Sequence, residues 1–259
     1  MAPLSLDRLP TRWARLMAAS RTALATRFSE RTTESETLDD LNAAGDELRR
    51  SLRELASLNR WLGGRATLLS GVKLALASET ISDIPRLIDV GCGSGDGLRM
   101  LAQWSRETSR KIEFVGIDAN PNALELAREL SQEYPEIEYV QANALSIDWN
   151  TLRPDIITAN LFCHHLSDSE LRRWLVAAAA SSASAIVIND LQRSWLPHAL
   201  FLGLCTVLGL SAITKHDGSI SVRRGFTRSD LVSLGQLAHP LKQTLRWRFA
   251  FRYQLVTAR

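Results

Sequence analysis

Leucines at positions 38, 41, 48, 52, 55 and 58 recur at the three-or-four spacing of one helical face, so residues 37–69 read as helix. Residues 11–28 read as helix too, and the polar stretch 29–36 separates the two. Gly63-Gly64 interrupts the pattern as a flexible pair and 65–77 resumes it, which predicts an N-terminal helical cap over residues 1–80, its first 36 the flexible part. From Arg86 the texture changes to short apolar runs alternating with longer amphipathic ones, the pattern of strand and helix units in a parallel sheet. Strands are predicted at 86–90, 112–117, 137–140, 155–159 and 185–188, with helices at 97–109, 121–134 and 169–181. Asn120-Pro121 is a good helix start, because asparagine caps and proline suits the first turn. Thr227 and Asp230 form a capping-box-like start for a helix reaching about Leu237. Residues 244–257 alternate as an antiparallel pair at the edge of the sheet, with no internal repeat anywhere.

A length of 259 residues suits one large domain, or a domain with an appendage. Apolar residues at 45% and charged residues at 23% exclude a disordered, collagen-like or wholly coiled-coil chain. The most apolar stretch, 199–213, has 15 residues with Gly203 and Gly209 inside it and Pro197 before it. That is shorter than the roughly 20 residues of a membrane span, so it reads as a buried or lipid-facing helix. The net charge of +3 says less than its distribution. Residues 1–27 hold five Arg and one Asp, and residues 220–259 hold eight Lys or Arg and one Asp, so two basic ends flank a middle with a formal charge of −8. Cys92, Cys163 and Cys205 are odd in number and form no CxxC pair, which argues against a disulfide framework or zinc site and for a reducing, cytoplasmic setting. The Arg-rich, acid-poor N-terminus overlaps organellar transit peptides in composition but lacks the apolar core of a secretory signal.

The strongest local signal runs from Leu87 to Gly97: a buried strand leads into glycines at 91, 93, 95 and 97 and then into a helix. Such a turn lets backbone approach a ligand and aims helix N-terminal amides at it. The dinucleotide fingerprint GxGxxG does not fit, since its third glycine would fall on Asp96 counted from Gly91 and on Leu98 counted from Gly93. Asp89, two positions before the first glycine, would oppose a pyrophosphate and favour a cation.

The segment Asp89-Val-Gly91-Cys92-Gly93-Ser-Gly95 resembles the first motif of the class I S-adenosylmethionine-dependent methyltransferases. Val115-Gly116-Ile117-Asp118 ends the second strand with a carboxylate 29 residues after Asp89, and Gln141-Ala142-Asn143-Ala144 ends the third. The resemblance implies a Rossmann-like, seven-stranded, mostly parallel sheet with an antiparallel edge strand, helices on both faces, and a substrate-side helical insertion at about 191–222 within a domain over 81–259. It implies that S-adenosylmethionine is the cofactor and S-adenosylhomocysteine the product. It further implies that Asp89 lies near the cofactor ammonium, that Gly91, Cys92, Gly93 and Gly95 cradle the methionine part, and that Asp118 and Ala119 meet the ribose. Asn143 and Ala144 would meet the adenine, with an amide at Asn143 where the family commonly has an acid, and Asn160 would line the site. A carboxylate suits a diol because it accepts two charge-assisted hydrogen bonds.

Asn160-Leu161-Phe162-Cys163-His164-His165-Leu166 follows the fourth strand, at the carboxyl edge where open α/β sheets bind ligands. A histidine there can take a proton from an attacking hydroxyl, and His165 is preferred over His164 as the base; the alternative is that one of them caps the next helix or packs on the adenosine. His216-Asp217 is a further pair in which a carboxylate can orient an imidazole, against the reading of a polar turn at Asp217-Gly218. Asn59 to Gly64, Asn189-Asp190-Leu191 and His216 to Arg224 together resemble a bacterial subgroup associated with type III polyketide synthases, which implies a lipophilic phenol or pyrone acceptor against an apolar wall at 199–213. No carboxylate and histidine cluster has metal-ligand spacing, so no metal is expected.

Two other readings compete: a nucleic-acid methyltransferase using the basic tail, and a cofactor-binding scaffold without turnover. Trp247, Phe249, Phe251 and Tyr253 alternate with Arg246, Arg248 and Arg252 as in an edge strand with solvated arginines, and no Asn-Pro-Pro-Tyr or Asp-Pro-Pro-Tyr tetrapeptide occurs. A small lipophilic acceptor is therefore expected and nucleic acid is not; the basic N-terminus suits peripheral contact with a membrane or a synthase.

Overall fold

The computed structural model describes residues 27–239 and 241–259. The N-terminal helix expected at 11–28, and with it the basic segment expected to make membrane or synthase contacts, lies outside the described residues except for its last two positions.

Seven strands form one sheet in the order β3-β2-β1-β4-β5-β7-β6. They are β1 (Arg86–Val90), β2 (Glu113–Asp118), β3 (Ile137–Gln141), β4 (Ile156–Asn160), β5 (Ala185–Leu191), β6 (Lys242–Arg248) and β7 (Arg252–Ala258). The first five pair in parallel, and β7 inserts antiparallel between β5 and β6. The chain reverses direction across the sheet between β1 and β4, which opens a crevice at their carboxyl ends. The helices in chain order are α1 (Gly45–Trp61), α2 (Gly64–Ala75), α3 (Asp96–Glu107), α4 (Pro121–Leu130), α5 (Trp149–Leu152), α6 (Asp168–Ala180), α7 (Trp195–Leu208), α8 (Ala212–Arg224) and α9 (Arg228–Gln236).

Alternate residues of each strand feed opposite cores, as the pleat requires. Leu87, Phe114, Ile156 and Val187 pack with Leu68, Val72, Leu98 and Leu124 on the face covered by α2, α3 and α4. Ile88, Ile117, Ile157 and Ile188 pack with Leu171, Trp174, Leu231 and Leu234 on the face covered by α6 and α9. The predicted helix starts form as read: Asn120 Oδ1 accepts from the amides of Asn122 and Ala123 at 2.9 and 3.3 Å. Thr227 and Asp230 exchange both bonds of a capping box.

The predicted helix 37–69 is not continuous. A 3₁₀ turn at Thr37–Asp39 and a loop precede α1, and the chain turns a corner at Gly63 (φ +75°). That corner is tight rather than loose, since a Cβ on Gly64 would lie 1.6 Å from Asn59 Oδ1. Beyond it, α2 lies on the sheet against β4, β5 and β7. The polar turn considered at Asp217-Gly218 is instead the middle of α8. The apolar stretch is helical only to Leu208, within α7, and breaks at Gly209 before α8 begins at Ala212; in α7 only Pro197 and Cys205 are buried, and Leu200, Val207 and Leu208 face outward. No described helix is long and apolar enough to cross a membrane.

The fit of α2 on the sheet depends on Gly71, whose added Cβ would lie 2.5 Å from Val187 Cγ1 and 3.0 Å from Gln254 Nε2. Gly71→Ala is expected to lower unfolding free energy by about 1–3 kcal/mol in urea denaturation; an unchanged midpoint would show that α2 is not seated there.

Candidate active site

One cavity of about 580 Å³ occupies the crevice, within the range of small-molecule sites. Its floor is the glycine loop after β1, its walls are the ends of β2, β4 and β5, and its roof comes from α1, α8 and the strap of residues 31–39. Asp89, Gly91, Cys92, Gly93, Asp118, Ala119, Asn143, Ala144, Asn160, His164 and His165 all line it. Gly95 sits just behind, at the left-handed cap of α3 (φ +74°), where a Cβ would strike Tyr139 Oη at 2.1 Å. Gly91 is held in the same way against Phe162, its Cβ position 2.2 Å from Cδ2. At Gly93, by contrast, only Leu52 comes within 3.8 Å of the added atom. Two glycines thus seat the loop and the third leaves room above it.

Asp118 accepts from the Gly93 amide at 2.8 Å on one oxygen and from the Asn120 amide at 2.9 Å on the other. Burial raises its carboxyl above the usual range, and these two amides offset part of the rise. Each oxygen keeps a lone pair for a diol. Asp89 is buried at 3% exposure, with Thr158 as its one side-chain donor among the described residues, at 2.6 Å. Burial, with Asp96 and Asp118 nearby, pushes its carboxyl up to about 7 despite that bond. Such a group gains most from a cation, so it fits the ammonium of an amino-acid-bearing cofactor. Asn143 Oδ1 accepts from the Leu145 amide at 2.9 Å, and Asn160 Oδ1 takes the Asn189 amide at 2.6 Å. Burial raises the Cys92 thiol far above its ordinary value, so it is a wall and not a nucleophile.

Both loop histidines have carboxylate partners. His164 is 3% exposed; its Nδ1 lies 2.7 Å from Asp190 Oδ1, and its backbone amide donates to the other Asp190 oxygen at 3.1 Å. Burial works against the Asp190 charge, but His164 holds the carboxyl below its usual value. His165 Nδ1 lies 2.6 Å from Asp39 Oδ1, and the Arg224 guanidinium bonds the other Asp39 oxygen. There too burial works to raise the carboxyl, but His165 and Arg224 keep it low. A carboxylate on Nδ1 fixes the tautomer that leaves Nε2 with its lone pair. His165 Nε2 makes no hydrogen bond among the described residues, so this nitrogen is the one available to a hydroxyl in the cavity.

Two calls fail on geometry. His216 contacts Asp217 at 3.0 Å but is 62% exposed, and it does not line the cavity. Its neighbour turns inward instead, and Asp217 accepts the amides of Thr37 and Leu38 at 2.9 and 3.0 Å, which pins the strap. The apolar wall expected from 199–213 reduces to Phe201. The sequence reading missed Glu36 and Asp39, which lie at the end of a polar linker and the start of a predicted helix. Glu36 is 6% exposed, its Oε1 has no hydrogen-bond partner among the described residues, and burial raises its carboxyl to about 7. Although no spacing announced it, Glu36, His164 and His165 each bring a ligand atom within 4.8 Å of the others and could hold a metal ion. Arg224 Nη1, 3.8 Å from Glu36 Oε1, already supplies positive charge there.

Residues 87–183 match the family described as Methyltransferase domain. A 2-phytyl-1,4-naphtoquinone methyltransferase of Thermosynechococcus vestitus is 40% identical over 60 residues, which is 23% of this chain and 25% of that protein. A demethylmenaquinone methyltransferase of Bacillus licheniformis is 30% identical over 81 residues, 31% of this chain and 34% of that one. The chain thus matches only a quarter to a third of the length of these relatives. Among solved structures, the plantazolicin methyltransferase BpumL in complex with S-adenosylhomocysteine superposes with a TM-score of 0.61 at 12% identity, covering 95% of this chain and 98% of that one. The magnesium protoporphyrin IX methyltransferase of Synechocystis PCC 6803 with bound S-adenosylmethionine gives 0.56 at 14% identity, covering 85% and 94%. The chain has the class I methyltransferase fold. In this methyltransferase fold the glycine loop, Asp118 and the histidine loop all fall at the carboxyl edge of the sheet, where the cavity lies.

Two outcomes are expected. Asp118→Ala removes a doubly bonding carboxylate and should weaken S-adenosylhomocysteine binding about 10- to 100-fold by calorimetry; unchanged affinity would take Asp118 out of the ribose role. Asp89 must ionise to hold a cation, and its ligand-free value is about 7. Affinity for S-adenosylmethionine should accordingly be full above neutrality and fall about tenfold between pH 8 and pH 6, and Asp89→Asn should flatten that profile.

Proposed function

We propose that the protein transfers a methyl group from S-adenosylmethionine to a small lipophilic acceptor, at a hydroxyl of a phenol or pyrone of polyketide type. The observation that carries this reading is the convergence on one cavity of a buried acid without a cationic partner among the described residues, a carboxylate at the end of β2 and a histidine whose Nδ1 is held by a carboxylate.

When bound, S-adenosylmethionine supplies a methyl group already activated on a sulfonium, so the protein has to place the partners, exclude water and remove a proton. Asp118 orients the ribose and Asp89 the ammonium, with the Gly93 stretch beneath. Leu48, Leu52, Leu55, Leu161, Phe162 and Phe201 give the rest of the cavity an apolar lining that suits a lipophilic acceptor. His165 Nε2 takes the proton of the attacking hydroxyl, while Asp39, steadied by Arg224, stabilises the imidazolium that forms. The curated relatives are named for a phytylated naphthoquinone and for demethylmenaquinone, which supports an acceptor with an apolar body.

A nucleic acid is a poor match for the basic C-terminal region, because several of its arginines are paired or enclosed within the fold and only Arg228, Lys242 and Arg246 among residues 220–248 are exposed cations. Arg223 pairs with Glu34 at 2.6 Å and Arg224 with Asp39, Arg248 bonds Ser70 at 3.0 Å, and Arg252 is buried.

The test is methyl transfer from labelled S-adenosylmethionine to a panel of alkylresorcinols, alkylpyrones, quinols and carboxylic acids. Label on a phenol or pyrone oxygen is the expected result, and label on no member would contradict it. With the acceptor found, His165→Ala should lower kcat about a hundred- to ten-thousand-fold while leaving cofactor affinity intact; a fully active variant would exclude His165 as the base.

A further inference from the structure

Arg252 opens β7 opposite Leu191 of β5 and lines the same cavity. It is 3% exposed, and among the described residues its Nε and Nη1 have no hydrogen-bond partner and no carboxylate comes within 4.0 Å of it. Asp190 and Asp96 act on it only at longer range. Asp190 is committed to His164, while Asp96 faces Asn59 at 3.4 Å and Arg65 at 3.5 Å. A guanidinium taken out of water without a partner is costly, and such a group persists where a ligand completes it.

The strand places Arg252 on the same side of β7 as Gln254, whose amide reaches Thr67 O and Ser70 Oγ of α2. Arg252 therefore points to the side of the sheet where the corner of α1 and α2, Asn160 and the start of α3 enclose the cavity. Nothing in the proposed reaction uses it. The guanidinium fork matches one chemical class best, a planar carboxylate that accepts two parallel N–H bonds.

We propose that Arg252 is the carboxylate receptor of this cavity. The carboxylate has two sources, the amino-acid end of the cofactor or the acceptor. In the first case Asp89 and Arg252 divide a zwitterion between them, the acid taking the ammonium and the arginine the carboxylate. In the second, the acceptor is an apolar acid anchored by its charged end. The inference rests on the cavity being the cofactor and acceptor site: failure of the wild-type protein to bind S-adenosylhomocysteine would sink that reading, whereas binding that ignores Arg252 sinks only this one.

Calorimetry on the wild type and Arg252→Met tests it, using S-adenosylhomocysteine, 5′-methylthioadenosine (the same nucleoside without an amino-acid part) and, on protein saturated with S-adenosylhomocysteine, benzoate and decanoate. If the carboxylate is the cofactor's, the substitution weakens S-adenosylhomocysteine at least tenfold and leaves methylthioadenosine unmoved. If it is the acceptor's, S-adenosylhomocysteine is unmoved, and benzoate or decanoate binds the wild type but not the variant. Equal affinities for every ligand in both proteins would overturn the proposal. The ligand-free Tm of Arg252→Met should equal or exceed that of the wild type, since an uncompensated charge is removed; a structural arginine would lower it. Should the methionine variant fail to fold, Arg252→Lys, which keeps the charge and loses the fork, is expected to weaken the same ligand several-fold, and unaltered binding there would equally overturn the proposal.

Discussion

A buried ionisable group without a partner costs several kilocalories per mole, and proteins rarely tolerate one. Here three buried ionisable groups that the described residues satisfy only in part, Glu36, Asp89 and Arg252, surround a single cavity. Asp89 has only a threonine hydroxyl, and Glu36 Oε1 and two nitrogens of Arg252 have no hydrogen bond among the described residues. The opposite edge of the sheet has a cleft of similar volume, but it is open and lined by Leu76, Ile84 and Lys111 among others, without such groups. The stability given up at the carboxyl edge is what a charged ligand would restore.

The remaining architecture keeps that edge in register. The parallel strands bring Asp89, Asp118, Asn160 and Asp190 to strand ends, and the two apolar cores clamp the strands from both faces. The strap of residues 31–39 then closes the roof through polar contacts. Arg31 donates to the carbonyls of His164 and Leu166 at 2.9 and 2.8 Å, Asp217 takes the amides of Thr37 and Leu38, and Arg224 joins Asp39 to the carbonyls of both histidines. The strap thus supplies the partner of the candidate base and depends on the histidine loop for its own position.

Much of this was legible in the sequence. The first five strands follow from apolar runs between helical patterns, and Asp89, the glycines and Asp118 from local spacing, because each lies within a few residues of the strand that positions it. What was not legible depends on contacts between distant segments. Glu36 read as the end of a linker and Asp39 as the start of a helix, because nothing nearby in sequence shows that Asp217 and Arg224, some 180 residues away, hold this segment over the cavity. The His216-Asp217 pair could not be oriented from sequence because both lie on α8, and only packing decides that Asp217 faces in and His216 out. Arg252 read as a solvated edge residue because alternation cannot tell an edge strand from its neighbour: β6 is the edge, and β7, paired on both sides, buries the face that carries Arg252. The helical part of the 199–213 run was legible as a helix but not as an outward-facing one, since apolar content alone gives no direction.

The most direct test is a crystal structure with S-adenosylhomocysteine bound. The ribose hydroxyls should meet Asp118, the ammonium Asp89, and the sulfur should face the His164 and His165 loop across the space above Gly93. A ligand seated elsewhere, or one whose sulfur turns away from the histidines, would contradict this account of the cavity.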